Sequence, residues 1–243
     1  MLEGAFALME VLAQDDEVGL TRLAAGAALP KATAHRLLGQ LVALGAVQSR
    51  EGRYCLGSRT FRLGQAWHPA RALRAAAAGP LRELASMAGR LSLSISVPEA
   101  GHTIIVGGIR GEADDVLALR PGVVLPPGSA AELILAASTP VDRLPEGWTK
   151  ATWVREVARA REEGLAFQYG QCVGPLSCVA APVHCTSGEV VAAVAASGLD
   201  GKQIAPLGEA VGRAAAMISA NLGRLQVPRA TAKARQPALA RPH

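Results

Sequence analysis

The 243-residue sequence is poor in aromatic residues, has few cysteines and contains no long apolar run. Aromatic side chains make up only 3% of a chain that is 50% hydrophobic, so its cores must be built from Ala, Val and Leu. The four cysteines form no CxxC pair and no regular spacing, which argues against a zinc site or a disulfide framework. We therefore expect no metal and no cofactor.

Targeting and membrane signals are also missing. The first residues, LEGAFALMEVLA, lack the charged start of a signal peptide. No apolar run reaches the roughly 18 residues that suggest a membrane span. The expectation is a cytoplasmic protein with reduced thiols that meets no membrane.

Acidic residues are scarce in one stretch of a chain whose formal net charge is +5. Residues 69–226 carry fourteen bases and fourteen acids, and the last seventeen residues carry four bases and no acid. Residues 20–62 hold one acid, Glu51, against seven bases, which are Arg22, Lys31, Arg36, Arg50, Arg53, Arg59 and Arg62. This imbalance indicates a polyanionic partner for the N-terminal quarter and the tail.

The stretch Leu29 to Gly45, LPKATAHRLLGQLVALG, predicts an amphipathic helix. Pro30 suits its first turn, and Gly45 suits a left-handed end. The apolar face has helical spacing and consists of Ala34, Leu37, Leu38, Leu41 and Leu44. The other face offers donors and no acid, with Lys31, Thr33, His35, Arg36 and Gln40. Such a face suits major-groove reading, although an ordinary helix with a solvated basic face has the same pattern.

The flanking segments favour a winged helix-turn-helix. Two apolar-faced helices precede the stretch, the second with Thr21 as its N-cap, and Glu51-Gly52 predicts a hairpin turn after it. We expect base-edge contacts from the first turns of the reading helix, at Lys31, Thr33, His35 and Arg36. Phosphate contacts are expected from Thr21, Arg50 and Arg53. Tyr54 suits packing under the wing and DNA contact equally.

The run LTRLAAGAALPKATAHRLLGQLVALGAVQSREGRYCLGSRTFRLG resembles the winged helix of the isocitrate lyase regulator (IclR) family. The matching residues are Leu29, Pro30, Lys31, Thr33, Arg36, Leu37, Leu38, Gly52, Arg53, Tyr54, Leu56 and Gly57. The resemblance implies a DNA-binding transcriptional regulator with a linker helix and a GAF-like effector domain. It also implies a homodimer or dimer of dimers on a double-stranded operator.

Beyond residue 69 the apolar period changes along the chain. Helices are predicted near 70–89, interrupted at Gly79-Pro80, and at 128–138, 152–164 and 206–225. Strands are predicted at 91–97, 102–109 and 116–120 and in the segments LAFQYG, SCVAAPVHC and VVAAVAAS, the last two central. The pattern is α+β. The expected organisation is a DNA-binding domain at 1–58, a linker helix at 59–68, an effector-binding domain at 69–226 and a disordered basic tail at 227–243.

A ligand site is expected where Ser129 and Ala130 open a helix, since free N–H groups there suit an anion. A capped helix without ligand has the same pattern. The resemblance adds Gln168, Cys178, Ala195 and Ser197 to the site. Where the family often has an acid this chain has Gln168, and Ala195 replaces a serine. The resemblance thus implies an organic acid or an aromatic metabolite as effector, and the departures favour a larger or more apolar acid.

The cysteines leave two alternatives open. Cys172, Cys178 and Cys185 fall in one region with His184, so a GAF-like thiol enzyme or a cysteine-based redox sensor fused to the DNA-binding module must be weighed. Cys178 suits a buried packing position, a pocket wall or a reactive thiol. No acid is placed in that strand to orient a catalytic histidine, so we expect no catalytic residue.

Overall fold

The computed structural model describes residues 1–15, 17–138 and 144–226, so the predicted tail at 227–243 lies outside the described residues. The chain separates into two compact units, Met1–Arg71 and the part from Ala72 onwards.

The first unit is a winged helix-turn-helix, as predicted. Its elements are α1 (Leu2–Gln14), β1 (Val18–Gly19), α2 (Leu20–Gly26), α3 (Lys31–Ala43), β2 (Val47–Arg50), β3 (Arg53–Leu56) and α4 (Ser58–Gln65). The apolar face of α3 packs with Leu8, Leu12, Leu23 and Val47 into one core. The β2–β3 hairpin gains β1 as a third antiparallel strand, in the order β1-β3-β2, which the sequence did not indicate.

The helix boundaries of this unit differ slightly from the expectation. Helix α2 begins at Leu20, directly after the β1 residue Gly19, and no side chain caps it, so the prediction of Thr21 as its N-cap is wrong. Pro30 is the residue before the first turn of α3 rather than part of it. Gly45 adopts φ of +71° after the last turn, as predicted.

The second unit is built on a five-stranded antiparallel sheet. The elements are α5 (His68–Ala88), which starts before the division, then β4 (Ser92–Glu99), β5 (His102–Ile109), α6 (Ala130–Ser138), α7 (Lys150–Glu163), β6 (Ala166–Tyr169), β7 (Ser177–His184), β8 (Val190–Gly198), α8 (Gly201–Ile204) and α9 (Gly208–Gln226). The strand order is β5-β4-β8-β7-β6. The α+β prediction is confirmed, and the two apolar strands β7 and β8 are interior, as expected.

Helices cover this sheet because its inner strands are apolar on both sides. Helix α6 shares one core with Ala180, Ala193 and Ala195. Helix α9 contacts β7 and β8. Side chains alternate along a strand, so Cys178 and Ala180 of β7 share one direction. That direction faces α6 and the functional cavity described below.

Helix α5 continues through Gly79-Pro80, so the predicted interruption is wrong. Proline has no N–H to donate to the carbonyl four residues earlier, here that of Ala76. The side-chain amide of Asn221, on α9, donates to this carbonyl at 3.0 Å. A contact 145 residues away in sequence therefore replaces the missing helical hydrogen bond.

The predicted strand at 116–120 is absent. A 3-10 helix occupies Glu112–Asp115, and the following residues form no strand. The alternating Leu117 and Leu119 instead point into a cavity. The alternation of these apolar residues therefore comes from an irregular segment that buries one side, and not from a strand.

Candidate functional site

Helix α3 exposes two polar flanks on the first unit. Lys31, His35 and Arg36 are exposed, and Thr33 is half-buried. At 100° per residue, Lys31 and His35 form one flank. Thr33, Arg36 and Gln40 form the other, and the small residues Ala32 and Gly39 lie between the flanks. This arrangement lets the helix backbone approach a surface while donors reach out on both sides.

The wing presents two arginines at one hairpin end, where Arg50 and Arg53 are paired across the strands. Arg53 donates to the backbone carbonyl of Glu17 at 3.0 Å, and its Nε lies 3.6 Å from the Glu17 carboxylate. Both contacts tie the wing to the loop before β1. Arg53 therefore has a structural role that the sequence did not reveal.

Tyr54 packs against the core of the first unit, and its backbone pairs with Val18 and Ser49. The structure supports the packing role rather than the DNA role for this side chain. Thr21 lies exposed on α2. Beside it, Arg22 forms an ion pair with Asp15 at 2.7 Å.

A small cavity of about 40 Å³ lies beside the start of α6 in the second unit, and we call it the α6 cavity. It brings together all five predicted ligand-binding residues, Ser129, Ala130, Gln168, Cys178 and Ser197, together with Ala195. The sequence did not indicate the other lining residues, which are Ser94, Leu117, Leu119, Leu125, Pro126, Ala131, Cys172, Val173 and Leu176. None of the described lining residues is Lys, Arg, His, Asp or Glu.

The N-terminus of α6 is organised by its own side chains. The Ser129 hydroxyl accepts a hydrogen bond from the Glu132 N–H at 3.3 Å. The Glu132 carboxylate, only 7% exposed, accepts one from the Gly128 N–H. Gly128 has φ of +80°, and a Cβ there would collide with the Trp148 indole. The first turn of the helix therefore already has a carboxylate beside it.

Two neutral polar groups of the α6 cavity, the Ser94 hydroxyl and the Gln168 amide nitrogen, have no hydrogen-bond partner among the described residues. Ser94 is 3% exposed and Gln168 4% exposed. In the described part of the chain, no hydrogen bond is formed by the Ser94 hydroxyl, and the Gln168 amide oxygen accepts only from the Cys172 thiol, at 3.6 Å. No fully enclosed side-chain N or O atom of the described residues lacks a partner. The Ser94 hydroxyl and the Gln168 amide nitrogen must therefore face open space.

A sequence signal for Ser94 existed in the strand LSLSISV, where serines alternate. Ser92 donates to Asp114 at 2.7 Å, and Ser96 donates to the Ala193 carbonyl at 3.5 Å. Only the middle serine lines the cavity.

The thiols of the α6 cavity are held in the protonated form. Burial, with smaller contributions from Cys178 and Glu132, raises the pKa of Cys172 to about 11. The Cys172 thiol donates to the Gly128 carbonyl at 3.0 Å. Burial also raises the pKa of Cys178, although a hydrogen bond with Ser197 opposes it. A nucleophilic or redox-active cysteine needs its thiolate, so these environments count against the thiol alternatives.

Cys185 lies in the turn between β7 and β8, and its thiol is 2.9 Å from the Ser187 hydroxyl. This hydrogen bond lowers the pKa of Cys185. The residue does not line the α6 cavity.

The described residues contain neither a membrane-spanning helix nor a cluster of metal-ligating side chains. None of the helices in this part of the chain has the length and apolar character needed to cross a bilayer. Over residues 1–15, 17–138 and 144–226, no three His, Cys, Asp or Glu side chains gather as metal ligands would.

Known proteins resemble the chain over almost its whole length. Residues 2–51 match the family model of the IclR helix-turn-helix domain. The glycerol operon regulatory protein of Streptomyces griseus is 30% identical over 244 residues, which cover 91% of this chain and 96% of that protein.

Solved structures share the fold at lower identity. An IclR homologue from Microbacterium hydrocarbonoxydans, complexed with 4-hydroxybenzoate, superposes with a TM-score of 0.76 at 23% identity, covering 91% of this chain and 98% of that one. HmgR of Pseudomonas aeruginosa gives a TM-score of 0.71 at 24% identity, covering 90% and 97%. The IclR of Thermotoga maritima gives 0.68 at 19%, covering 91% and 98%.

Proposed function

This chain belongs to the IclR family of DNA-binding transcriptional regulators, and we propose that a small molecule held in the α6 cavity alters its binding to operator DNA. The observation that carries the proposal is the pairing of a donor-rich, acid-free α3 surface with a separate buried cavity. The first suits duplex DNA. The second has the mostly apolar lining, with a few convergent polar groups, of a small-molecule site.

On the DNA side, Lys31, Thr33, His35 and Arg36 are proposed to contact base edges. Thr21, Arg50 and Arg53 are proposed to contact phosphates. Arg50 is the freer of the two wing arginines, because Arg53 is already held by Glu17. A phosphate contact by Arg53 would use the part of its guanidinium that Glu17 leaves open.

On the ligand side, Ser129, Ala130, Gln168, Cys178 and Ser197 are proposed to contact the effector, an organic acid or an aromatic metabolite. The microbacterial homologue with bound 4-hydroxybenzoate shows that a protein of this fold can hold such a molecule. The effector must prefer one arrangement of the DNA-binding modules, since equal affinity for both would shift nothing.

The proposed oligomeric state and cellular location are those that suit a DNA-binding protein. One winged helix reads few base pairs, so we propose a homodimer or dimer of dimers that doubles the half-site. The protein would act without catalysis, in the cytoplasm. The thiol enzyme and redox sensor gain no support from the half-buried, protonated thiols of the cavity.

The test measures fluorescence anisotropy of double-stranded fragments from upstream regions of the protein's own genome, titrated with the full chain over a range of salt concentrations. Operator binding should weaken steeply with salt, because phosphate contacts release counterions. A panel of organic acids and aromatic compounds then follows on the best fragment. Absence of salt-sensitive binding to every fragment contradicts the DNA assignment, and a bound fragment insensitive to every compound contradicts the effector assignment.

A further inference from the structure

We propose that an extended acidic peptide binds in a groove beside the edge strand β6 and adds a further antiparallel strand to the sheet. The groove has a volume of about 510 Å³ and is lined by residues 147–149, by one side of α7 from Thr152 to Arg159 and by residues 167–169 of β6. We call it the α7 groove. It is distinct from the α6 cavity, although Gln168 lines both.

The first observation is that the edge of β6 faces the α7 groove. Neighbouring side chains of a strand point to opposite faces of the sheet. Three consecutive residues, 167–169, therefore line one groove because it runs along the edge of the strand. Strand β6 is the last in the order β5-β4-β8-β7-β6, and such an edge offers N–H and C=O groups to another chain.

Hydrogen bonds show which residue of β6 offers these groups. The Gly170 N–H donates towards β7, to the Leu176 carbonyl at 2.8 Å, whereas the Tyr169 N–H donates away from β7, to the Gln171 side-chain oxygen at 2.8 Å. Backbone groups alternate in direction along an antiparallel strand, so the N–H and C=O of Phe167 also point away from β7. Within the described chain no strand pairs with this side of Phe167. A peptide residue opposite Phe167 can exchange both backbone hydrogen bonds with it.

The second observation is a pair of arginines on the helical side of the groove. Arg155 and Arg159 are exposed and lie one turn apart on α7. Each forms an ion pair within its own helix, with Glu156 at 3.1 Å and with Glu163 at 2.8 Å, and Glu156 also lines the groove. Such exposed pairs contribute little to stability, and a guanidinium has five N–H donors. Both arginines therefore keep donors for a carboxylate of a bound peptide.

The spacing of the two arginines matches the repeat of an extended chain. Four residues of helix rise about 6 Å, and two residues of strand rise about 6.6 Å. Acidic side chains at alternate peptide positions can therefore reach Arg155 and Arg159 at the same time.

The peptide residue between the two acids should be apolar. It lies opposite Phe167, and directly opposed residues of an antiparallel pair share one face of the sheet. On that face the rings of Phe167 and Tyr169 stack with centroids 6.1 Å apart. The expected pattern is acidic, apolar, acidic, in which the backbone supplies affinity and alternate side chains supply specificity.

The experiment titrates the full chain with two synthetic peptides, TVEVEVT and TVKVKVT, both acetylated and amidated, by isothermal titration calorimetry at neutral pH. The peptides share their length and their strand-forming valines and differ in the sign of two charges. We expect the glutamate peptide to bind at least about tenfold more tightly, because attraction to two arginines replaces repulsion. Equal affinities, tighter binding of the lysine peptide, or no heat from either peptide would overturn the proposal.

A charge-reversal variant locates the binding. Arg159→Glu should weaken binding of the glutamate peptide by about tenfold and strengthen binding of the lysine peptide. Arg213→Glu is the matched control, since Arg213 also forms an exposed ion pair one turn away on its own helix, with Glu209, and does not line the groove. It should leave both affinities unchanged. Equal losses in the two variants would contradict a site in the α7 groove.

Backbone methylation of the peptide tests the added strand. N-methylation of the central valine removes the N–H that is expected to donate to the Phe167 carbonyl, and should weaken binding by at least about tenfold. N-methylation of the preceding glutamate removes an N–H that points away from β6, and should be tolerated. Equal losses from the two methylated peptides would contradict strand addition.

Other occupants of the groove give different results. If Arg159→Glu changes the oligomeric state of the peptide-free protein in sedimentation velocity while the two peptides bind alike, a second copy of the chain occupies the groove and the proposal is wrong. If free glutarate binds as tightly as the glutamate peptide, the arginines take a simple dicarboxylate and the proposal is also wrong. None of these measurements involves DNA or a ligand of the α6 cavity, so their failure leaves the proposed function intact.

Discussion

The two units of this protein place their recognition groups in opposite environments. The winged helix carries Lys31, His35 and Arg36 on an exposed helix face, where charge acts at a distance and is screened by salt. The α6 cavity hides Ser94, Gln168 and Ser197, each less than 5% exposed, among apolar side chains. Such neutral groups act only on a ligand that contacts them. The comparison predicts that a change in one unit should leave the recognition chemistry of the other intact.

The sharpest test of this separation fills the cavity. Ser197→Trp places a large side chain among the lining residues, so we expect complete loss of the DNA response to any cavity ligand while operator affinity is unchanged. Anisotropy with operator DNA, with and without ligand, measures both. Ser187→Trp puts the same side chain on an exposed turn and should retain the response. A response that survives in Ser197→Trp would place the ligand elsewhere.

The next largest contrast lies between the cavity thiols, whose pKa values are raised, and the turn thiol of Cys185, whose pKa is lowered. A pKa of about 11 at Cys172 leaves a thiolate fraction about a hundredfold below that of a cysteine with a pKa of 9, at any pH below both values. The lowered pKa of Cys185 acts in the opposite direction. Iodoacetamide at pH 8, followed by peptide mass spectrometry, should label Cys185 well before Cys172 and Cys178. Faster labelling of Cys172 would revive the thiol alternatives.

Removing one side chain that is proposed to contact bases should weaken operator binding without changing ligand binding in the cavity. Arg36→Ala is expected to weaken operator binding by about 1–3 kcal/mol and to relax specificity at one base position. Ligand affinity of the cavity, measured by calorimetry, should not change. Arg82→Ala, an exposed arginine of the second unit, is the matched control and should leave operator affinity intact. Unchanged base specificity in Arg36→Ala would remove this residue from the base-reading set.

The sequence predicted the first unit better than the second because its signals are local. The helix Lys31–Ala43, its glycine end and the Glu51-Gly52 turn each follow from neighbouring residues. Strand β1 was not predicted because a two-residue strand is too short to show alternating apolar residues. Only its pairing with Tyr54 and Arg53 makes it a strand. The ion pair between Arg53 and Glu17 could not be predicted either, because the two residues are 36 positions apart in the sequence and meet only in the fold.

In the second unit, distance along the chain limited the prediction. Ser129 and Ala130 followed from a local helix start and the later cavity residues from a family resemblance, whereas Ser94, Leu117 and Leu119 join them only through the fold. The alternating leucines at 117 and 119 suggested a strand, and this prediction was wrong. An irregular segment with one buried side shows the same apolar period of two as a strand, so the pattern does not distinguish them. Asn221 had no local signal that could connect it with Ala76.

The two units also differ in where a proline lies relative to a helix. Pro30 precedes the first turn of α3, whereas Pro80 lies inside α5 and needs Asn221. Asn221→Leu should lower the free energy of unfolding of the second unit by about 1–2 kcal/mol, because it leaves the Ala76 carbonyl without a donor.

A double-mutant cycle isolates this cause. Pro80→Ala restores an N–H that can donate to Ala76, so Asn221→Leu should cost less in that background. Urea unfolding of the four proteins measures the coupling. Additive effects of the two substitutions would show that Asn221 stabilises the chain by other contacts.

The smallest expected effect lies at the wing, where Glu51 has φ of +50° beside Gly52 at +76°. Asn tolerates this left-handed conformation better than Glu, so Glu51→Asn should stabilise the first unit by about 0.5 kcal/mol in thermal unfolding. Either Glu51→Asn or Glu51→Gln removes the one acid between Arg50 and Arg53, and both should strengthen operator binding slightly. Because Gln keeps the unfavourable conformation, Glu51→Gln should raise DNA affinity without raising stability. Equal stabilisation by the two substitutions would mean that charge, rather than backbone conformation, sets the stability of the wing.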